Sequence, residues 1–105
     1  MTFSTYQYAR LAGQFLTTTG ATTIGTVPAS TQWMVQDIDV ANATGTAATI
    51  TLTCGGFNLF PVITVPGNQL LHWTGLFCLN AAETIVATAG TANAIYVTVH
   101  GQTGV

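Results

Sequence analysis

"QDIDVANATGTAATITLTC", residues 36–54, decides how the chain is read. Asp37 and Asp39 are two of its four charged side chains, and nearly everything after Val40 in this stretch is Ala, Thr, Gly or aliphatic. Apolar and polar residues alternate on both sides of Asn42–Thr46, the period-two rhythm of strands with one buried face. With a turn centred near Thr44 or Gly45, the stretch is expected to form a hairpin. Ala41 then faces Ala47, Val40 opposes Ala48 and Ile38 opposes Ile50, while Asp39 opposes Thr49 and Asp37 opposes Thr51. A slip of one residue would move the whole apolar set to the other face, so burial of one side holds the register. Asp and Thr form the outer face of this hairpin, polar with little charge.

The same alternation recurs outside this stretch. "AIYVTVH" (94–100) places Ile95, Val97 and Val99 on one side and Tyr96, Thr98 and His100 on the other. Thr occupies about a fifth of the chain, and its β-branch suits a pleated surface. Turn signals at 18–20, 28–30, 42–46, 55–56, 66–69, 80–83 and 90–93 separate strands expected near 22–27, 32–41, 47–54, 57–65, 69–74, 76–79, 84–89 and 94–100. Seven or eight short strands at this spacing predict an all-β chain folded as a single antiparallel β-sandwich, jelly-roll-like or immunoglobulin-like. Ile38, Val40, Ile50, Leu52, Ile85, Val97 and Val99 are expected in its core.

Residues 1–16 differ from the rest. Phe3, Tyr6, Tyr8, Leu11, Phe15 and Leu16 surround the single arginine, Arg10, without strict alternation. This segment is expected to be either an arm packing on a neighbouring subunit or a strand closing a sheet edge, with residues 17–105 forming the sandwich domain. Cys54 and Cys78 sit in strand-like apolar runs and are expected as two reduced, buried thiols.

Composition narrows the function. The chain has 105 residues, suited to one domain, and only 4% are charged, against about 25% in a typical globular domain. A formal net charge of −2 gives little repulsion between copies and favours association. One arginine cannot neutralise a row of phosphates, so nucleic acid is not expected as a partner. No apolar run approaches the ~20 residues of a membrane-spanning helix, and no cationic, apolar signal sequence opens the chain, which is expected to be soluble and made in a cytoplasm.

No catalytic constellation stands out. Ser4 and Ser30 have no nucleophile-elbow setting and no phosphate-binding glycine loop follows a strand, so no enzymatic activity and no cofactor are expected. Asp37 and Asp39 are too few for a calcium site and are taken as solubilising acids. His72 and His100, with the two cysteines, lack the short-range spacing of a zinc site and are taken as hydrogen-bonded histidines near strand ends, so no metal is expected. Trp33, Trp73, Tyr6, Tyr8 and Tyr96 are ring surfaces that could stack on sugars, though core or interface anchoring fits these rings better. The Asn42-Ala43-Thr44 sequon is attributed to chance in a threonine-rich chain.

"TVPASTQWMVQDIDVANATGTAATITLTCGG", "LLHWTGLFCLNAAETIVATA" and "AIYVTVHG" resemble the small β-sandwich accessory proteins of tailed bacteriophage virions, the capsid decoration and minor tail proteins of the actinobacterial-phage type. The likeness runs through a T-V-P-A opening, a "DIDVAN" strand, a tryptophan-glycine passage, an "NAAETI" turn where N-A-G-E-T is commoner, and a closing "YVTVHG" strand, over residues 24–101. It implies a non-enzymatic virion protein assembled in a bacterial cytoplasm. Such a protein is expected in several copies, binding the major capsid protein or other virion subunits as a homo-oligomer, with a trimer at local three-fold axes favoured. The interface residues expected are Phe3, Tyr6, Tyr8, Arg10, Leu11, Phe15, Trp33 and Trp73. A carbohydrate-binding module for host attachment is the alternative from a different class.

Overall fold

A computed structural model describes residues 6–104. Among them are eight strands and no helix: β1 (Tyr6–Phe15), β2 (Thr22–Thr26), β3 (Gln32–Asn42), β4 (Ala48–Cys54), β5 (Phe57–Val65), β6 (Leu70–Leu79), β7 (Thr84–Ala89) and β8 (Ile95–Gly104). They form two four-stranded antiparallel sheets, a first sheet in the order β1-β8-β3-β6 and a second in the order β2-β7-β4-β5. Every connection except β4 to β5 crosses from one sheet to the other. This is the double-sheet winding of a jelly roll, which separates it from the immunoglobulin-like alternative.

The β3–β4 stretch is therefore not a hairpin. β3 pairs with β6 and β8, and β4 pairs with β5 and β7. Ile38 and Ile50 do belong to one apolar set, but they approach from opposite sheets of the core. The reason lies in Asn42, which is buried at the end of β3. Its Nδ2 donates to the carbonyls of Thr46 (2.8 Å) and Val65 (3.0 Å). Its Oδ1 accepts from the Thr44 amide (3.0 Å) and the Thr44 hydroxyl (2.8 Å). Four bonds saturate the amide and fold residues 42–46 into an arch that carries the chain across the core. The Asn of the sequon is thus consumed by the fold.

The tight β4–β5 hairpin turns on Gly55 (φ 57°) and Gly56 (φ 80°), the two positive values a type I′ turn requires. Ala82, at the position where the resembling proteins more often carry Gly, takes φ 70° in the turn before β7. There its amide donates to the Val27 carbonyl at 3.0 Å.

The seven core residues expected from alternation are all fully buried. Burying an aliphatic side chain of this size contributes about 1.5–3 kcal/mol. Two expected strands, 69–74 and 76–79, are one strand, β6, interrupted by Gly75 where the β3–β6 register shifts. A Cβ at Gly75 would lie 2.8 Å from Trp73 Cζ2, so the glycine makes room for that ring.

The aromatic N-terminal segment is strand β1, an edge of the first sheet paired along β8. Its register shifts between Arg10 and Ala12. That bulge carries Leu11, switches the parity of the strand and removes the simple alternation from the sequence. Cys54 is buried, and burial pushes its thiol up to about 11. Cys78 is exposed, correcting the expectation of two core thiols. It sits opposite Met34 on β6, one residue out of phase with the inward-facing Leu79.

Candidate interaction face

Strand alternation and register assign the outer side of each sheet. On the first sheet, successive rows read Phe15, Tyr96, Ala41, Leu70; then Gly13, Thr98, Asp39, His72; then Arg10, His100, Asp37, Thr74; then Tyr8, Gln102, Met34, Cys78, each in the order β1, β8, β3, β6. This one face gathers both histidines, the arginine and two of the three acids of the chain. The remaining acid, Glu83, lies in the turn before β7, where its Oε1 accepts from the Asn80 amide at 2.6 Å.

At the centre of the face, His72 reaches from β6 to the two aspartates of β3. Its Nδ1 hydrogen-bonds Asp39, and its Nε2 lies 3.4 Å from Asp37 Oδ1. The hydroxyl of Tyr8, from the far edge strand, donates to Asp37 Oδ2 at 2.9 Å. The hydrogen bond to Asp39 raises the His72 pKa above its ordinary value; partial desolvation opposes it and the charges of Asp39 and Asp37 add to it. The hydrogen bond that Tyr8 donates to the Asp37 carboxylate raises the Tyr8 pKa. When protonated, the imidazolium presents one N–H to each carboxylate and offsets one of the two negative charges, leaving the set at −1. His72 faces carboxylates rather than a hydroxyl nucleophile. Among the described residues, no group of three or more His, Cys, Asp and Glu has a geometry that could hold a metal ion. What the arrangement offers is a hydrogen-bonding sheet face with aromatic ends.

Among the described residues, the outer side of the second sheet carries no ionisable group. Threonine stands directly opposite threonine at Thr51/Thr88, Thr49/Thr64 and Thr26/Thr84. Val86 and Asn58 flank Thr53, and Val62 on the edge strand is 72% exposed.

The expected interface residues divide. Tyr6 and Tyr8 are exposed on the first sheet's outer face, and Phe15 stacks on Tyr96 with ring centroids 4.5 Å apart. Arg10 lies across from His100, with its stem near Gly13, where a Cβ would be 3.6 Å from Arg10 Cδ. Leu11 and Trp73 are half-buried and pack against the core. Trp33 is a correction: at 7% exposure it belongs to the core, opposite Leu79 on the inner face of β3 and beneath Gly25 of the other sheet. It offers no surface to a partner and no platform to a sugar. Phe3 lies outside the described residues. The His72 clamp was not foreseen, because Asp37 and Asp39 meet His72 only through a strand pairing more than thirty residues apart in sequence.

No family model matches this chain, and neither does any curated protein. Solved structures do. The acid-stable capsid of Helicobacter pylori bacteriophage KHP30 contains a chain that superposes with a TM-score of 0.55 at 9% identity, over 96% of this chain and 94% of that one. What they share is the fold. The disulfide-linked pili formed by Bacillus endospore appendages give a TM-score of 0.54 at 19% identity, over 95% and 87% of the two chains. The virus-like particle of the extra small virus of the prawn Macrobrachium rosenbergii gives 0.54 at 11% identity, over 98% and 82%.

Proposed function

We propose that the chain is a non-enzymatic structural protein of a phage virion, most specifically a decoration protein that binds the assembled shell and stabilises it. The observation that carries this reading is the second sheet's outer face, a sheet surface of hydroxyls and aliphatics without one ionisable group among the described residues. Such a surface is poorly protected against association, and packing against neutral neighbours involves no desolvation of charge. The sequence resemblance to virion accessory proteins supports the same reading, and the jelly roll is a fold that capsid subunits also use.

A protein that binds only the assembled shell stabilises it by mass action, about 2.7 kcal/mol per site at a hundredfold excess over Kd. Several linked copies multiply that through effective concentration, and three copies around a local three-fold axis are the oligomer the resemblance implies. The partner is then the major capsid protein, and the place of action is the virion assembled in the bacterial cytoplasm. Electron microscopy of particles with and without this chain tests the reading. Density lost from the shell supports decoration, while loss from the tail or baseplate moves the protein to the minor-tail alternative.

A further inference from the structure

We propose that the outer face of the first sheet is covered by a second copy of this chain, in a two-fold pair whose axis runs parallel to the strands between β8 and β3. The proposal does not depend on the virion reading, and for the free protein it replaces the trimer that the resemblance implies with a pair. A two-fold parallel to the strands preserves height along them, so each cross-strand row meets itself reversed. β1 then lies over the partner's β6, and β8 over its β3.

The rows are complementary to their own reversal. Tyr96 comes over a small residue, Ala41, and Phe15 over Leu70. In the central row His100 comes over the carboxylate of Asp37, and in its neighbour Thr98 brings a hydroxyl over Asp39. Rings and donors predominate on β1 and β8, Ala41 and the two carboxylates lie on β3, and Gly13 of β1 comes over the His72 ring of β6, the self-complementarity an isologous contact needs. The second sheet's outer face has no such asymmetry, with threonine opposite threonine. Among the described residues, five of the seven exposed large apolar side chains, Tyr6, Tyr8, Leu70, Leu76 and Tyr96, lie on the first face, where alternation around Gly75 turns Leu76 outward. Four strands ~4.8 Å apart and four rows ~6.7 Å apart outline roughly 500 Å² of sheet, of the order of the ~800 Å² per partner of a standard interface once side chains add their own surface.

Two measurements on the full chain test the pair. Sedimentation equilibrium of the unmodified protein is expected to give the mass of two chains. Ala41→Arg, which fills the small site opposite Tyr96, is expected to weaken pairing by at least about tenfold. Thr51→Arg, on the other face, leaves it unchanged. The second measurement fixes the geometry. Tyr8 and Cys78 lie at opposite edges of one sheet, three strand spacings or ~14 Å apart, but across the two-fold they face each other. Tyr8→Cys treated with a bis-maleimide too short to span that intramolecular distance is expected to give covalent dimers, joined through the introduced thiol of one copy and the native Cys78 of the other. The same variant with Cys78→Ser, and the unmodified chain, are expected to give none. A monomeric or trimeric mass for the unmodified protein overturns the proposal, as does pairing that survives Ala41→Arg or cross-linking no stronger than that of Thr51→Cys.

Discussion

The two outer faces of this sandwich are built on the same alternating pattern and packed on the same core, yet they carry opposite chemistry. The β1-β8-β3-β6 face holds Arg10, Asp37, Asp39, His72 and His100, whereas the β2-β7-β4-β5 face pairs threonine with threonine and, among the described residues, holds no ionisable group. With so few charges available, the fold concentrates them where they stand beside one another on adjacent strands. The difference teaches that low net charge here is not uniform neutrality. One surface is a locally compensated ionic patch, and the other depends on hydroxyls alone.

The comparison is first broken by separating the faces. They are joined through the Asn42 arch, whose amide makes four hydrogen bonds in a buried setting. Asn42→Ala leaves the Thr46 and Val65 carbonyls and the Thr44 amide without these bonds, and is expected to cost about 2–4 kcal/mol, read by denaturant unfolding. Both faces should unfold in the same transition. A smaller effect of the opposite sign is expected at the turn before β7. Ala82 sits at φ 70°, where an L side chain is strained, so Ala82→Gly should stabilise by about 0.5–1 kcal/mol after the added flexibility of the unfolded chain is offset.

The ionic face gives a pH signature that the threonine face cannot. The folded His72 pKa is raised above the unfolded value of about 6.5, so the stability it contributes is fully present below that pH. It is lost as pH rises through the folded pKa. An NMR titration of the imidazole should show the raised value in the parent chain and its return toward the ordinary value in Asp39→Asn. An unshifted histidine would remove the clamp from the account. The smallest effect is expected on the neutral face, where Thr51→Val, between Thr88 and the edge strand, should change thermal stability by no more than about 0.5 kcal/mol.

Much of this was legible from alternation. The direction of Ile38, Val40, Ile50, Leu52, Ile85, Val97 and Val99 follows from parity within one strand, a local property, and all seven are buried. Which sheet a strand joins is a long-range property that parity cannot report, and so β3 and β4 looked like hairpin partners. The signal against that pairing was Asn42 itself, a polar residue in phase with the inward-facing Ile38 and Val40, which needs partners across the arch. β1 is obscured by the bulge at Leu11, which resets its period-two count, whereas Gly75 reads as a turn signal within β6 although alternation runs through it, with Trp73 and Phe77 on the core side. The ionic face had the same cause of invisibility. In the sequence Asp37 and Asp39 form one local pair while His72 and His100 stand far from them, and only the β3–β6 and β3–β8 pairings bring the two sets together.

The claim that the two faces have different roles is tested most directly by hydroxyl-radical footprinting of the free protein, comparing dilute with concentrated solution. Tyr8, Tyr96 and Leu70 on the ionic face are expected to lose reactivity as concentration rises, while Phe57 and Val62, on the β5 edge of the neutral sheet, stay reactive. Protection of Phe57 and Val62 with Tyr8 and Tyr96 unchanged would contradict the account.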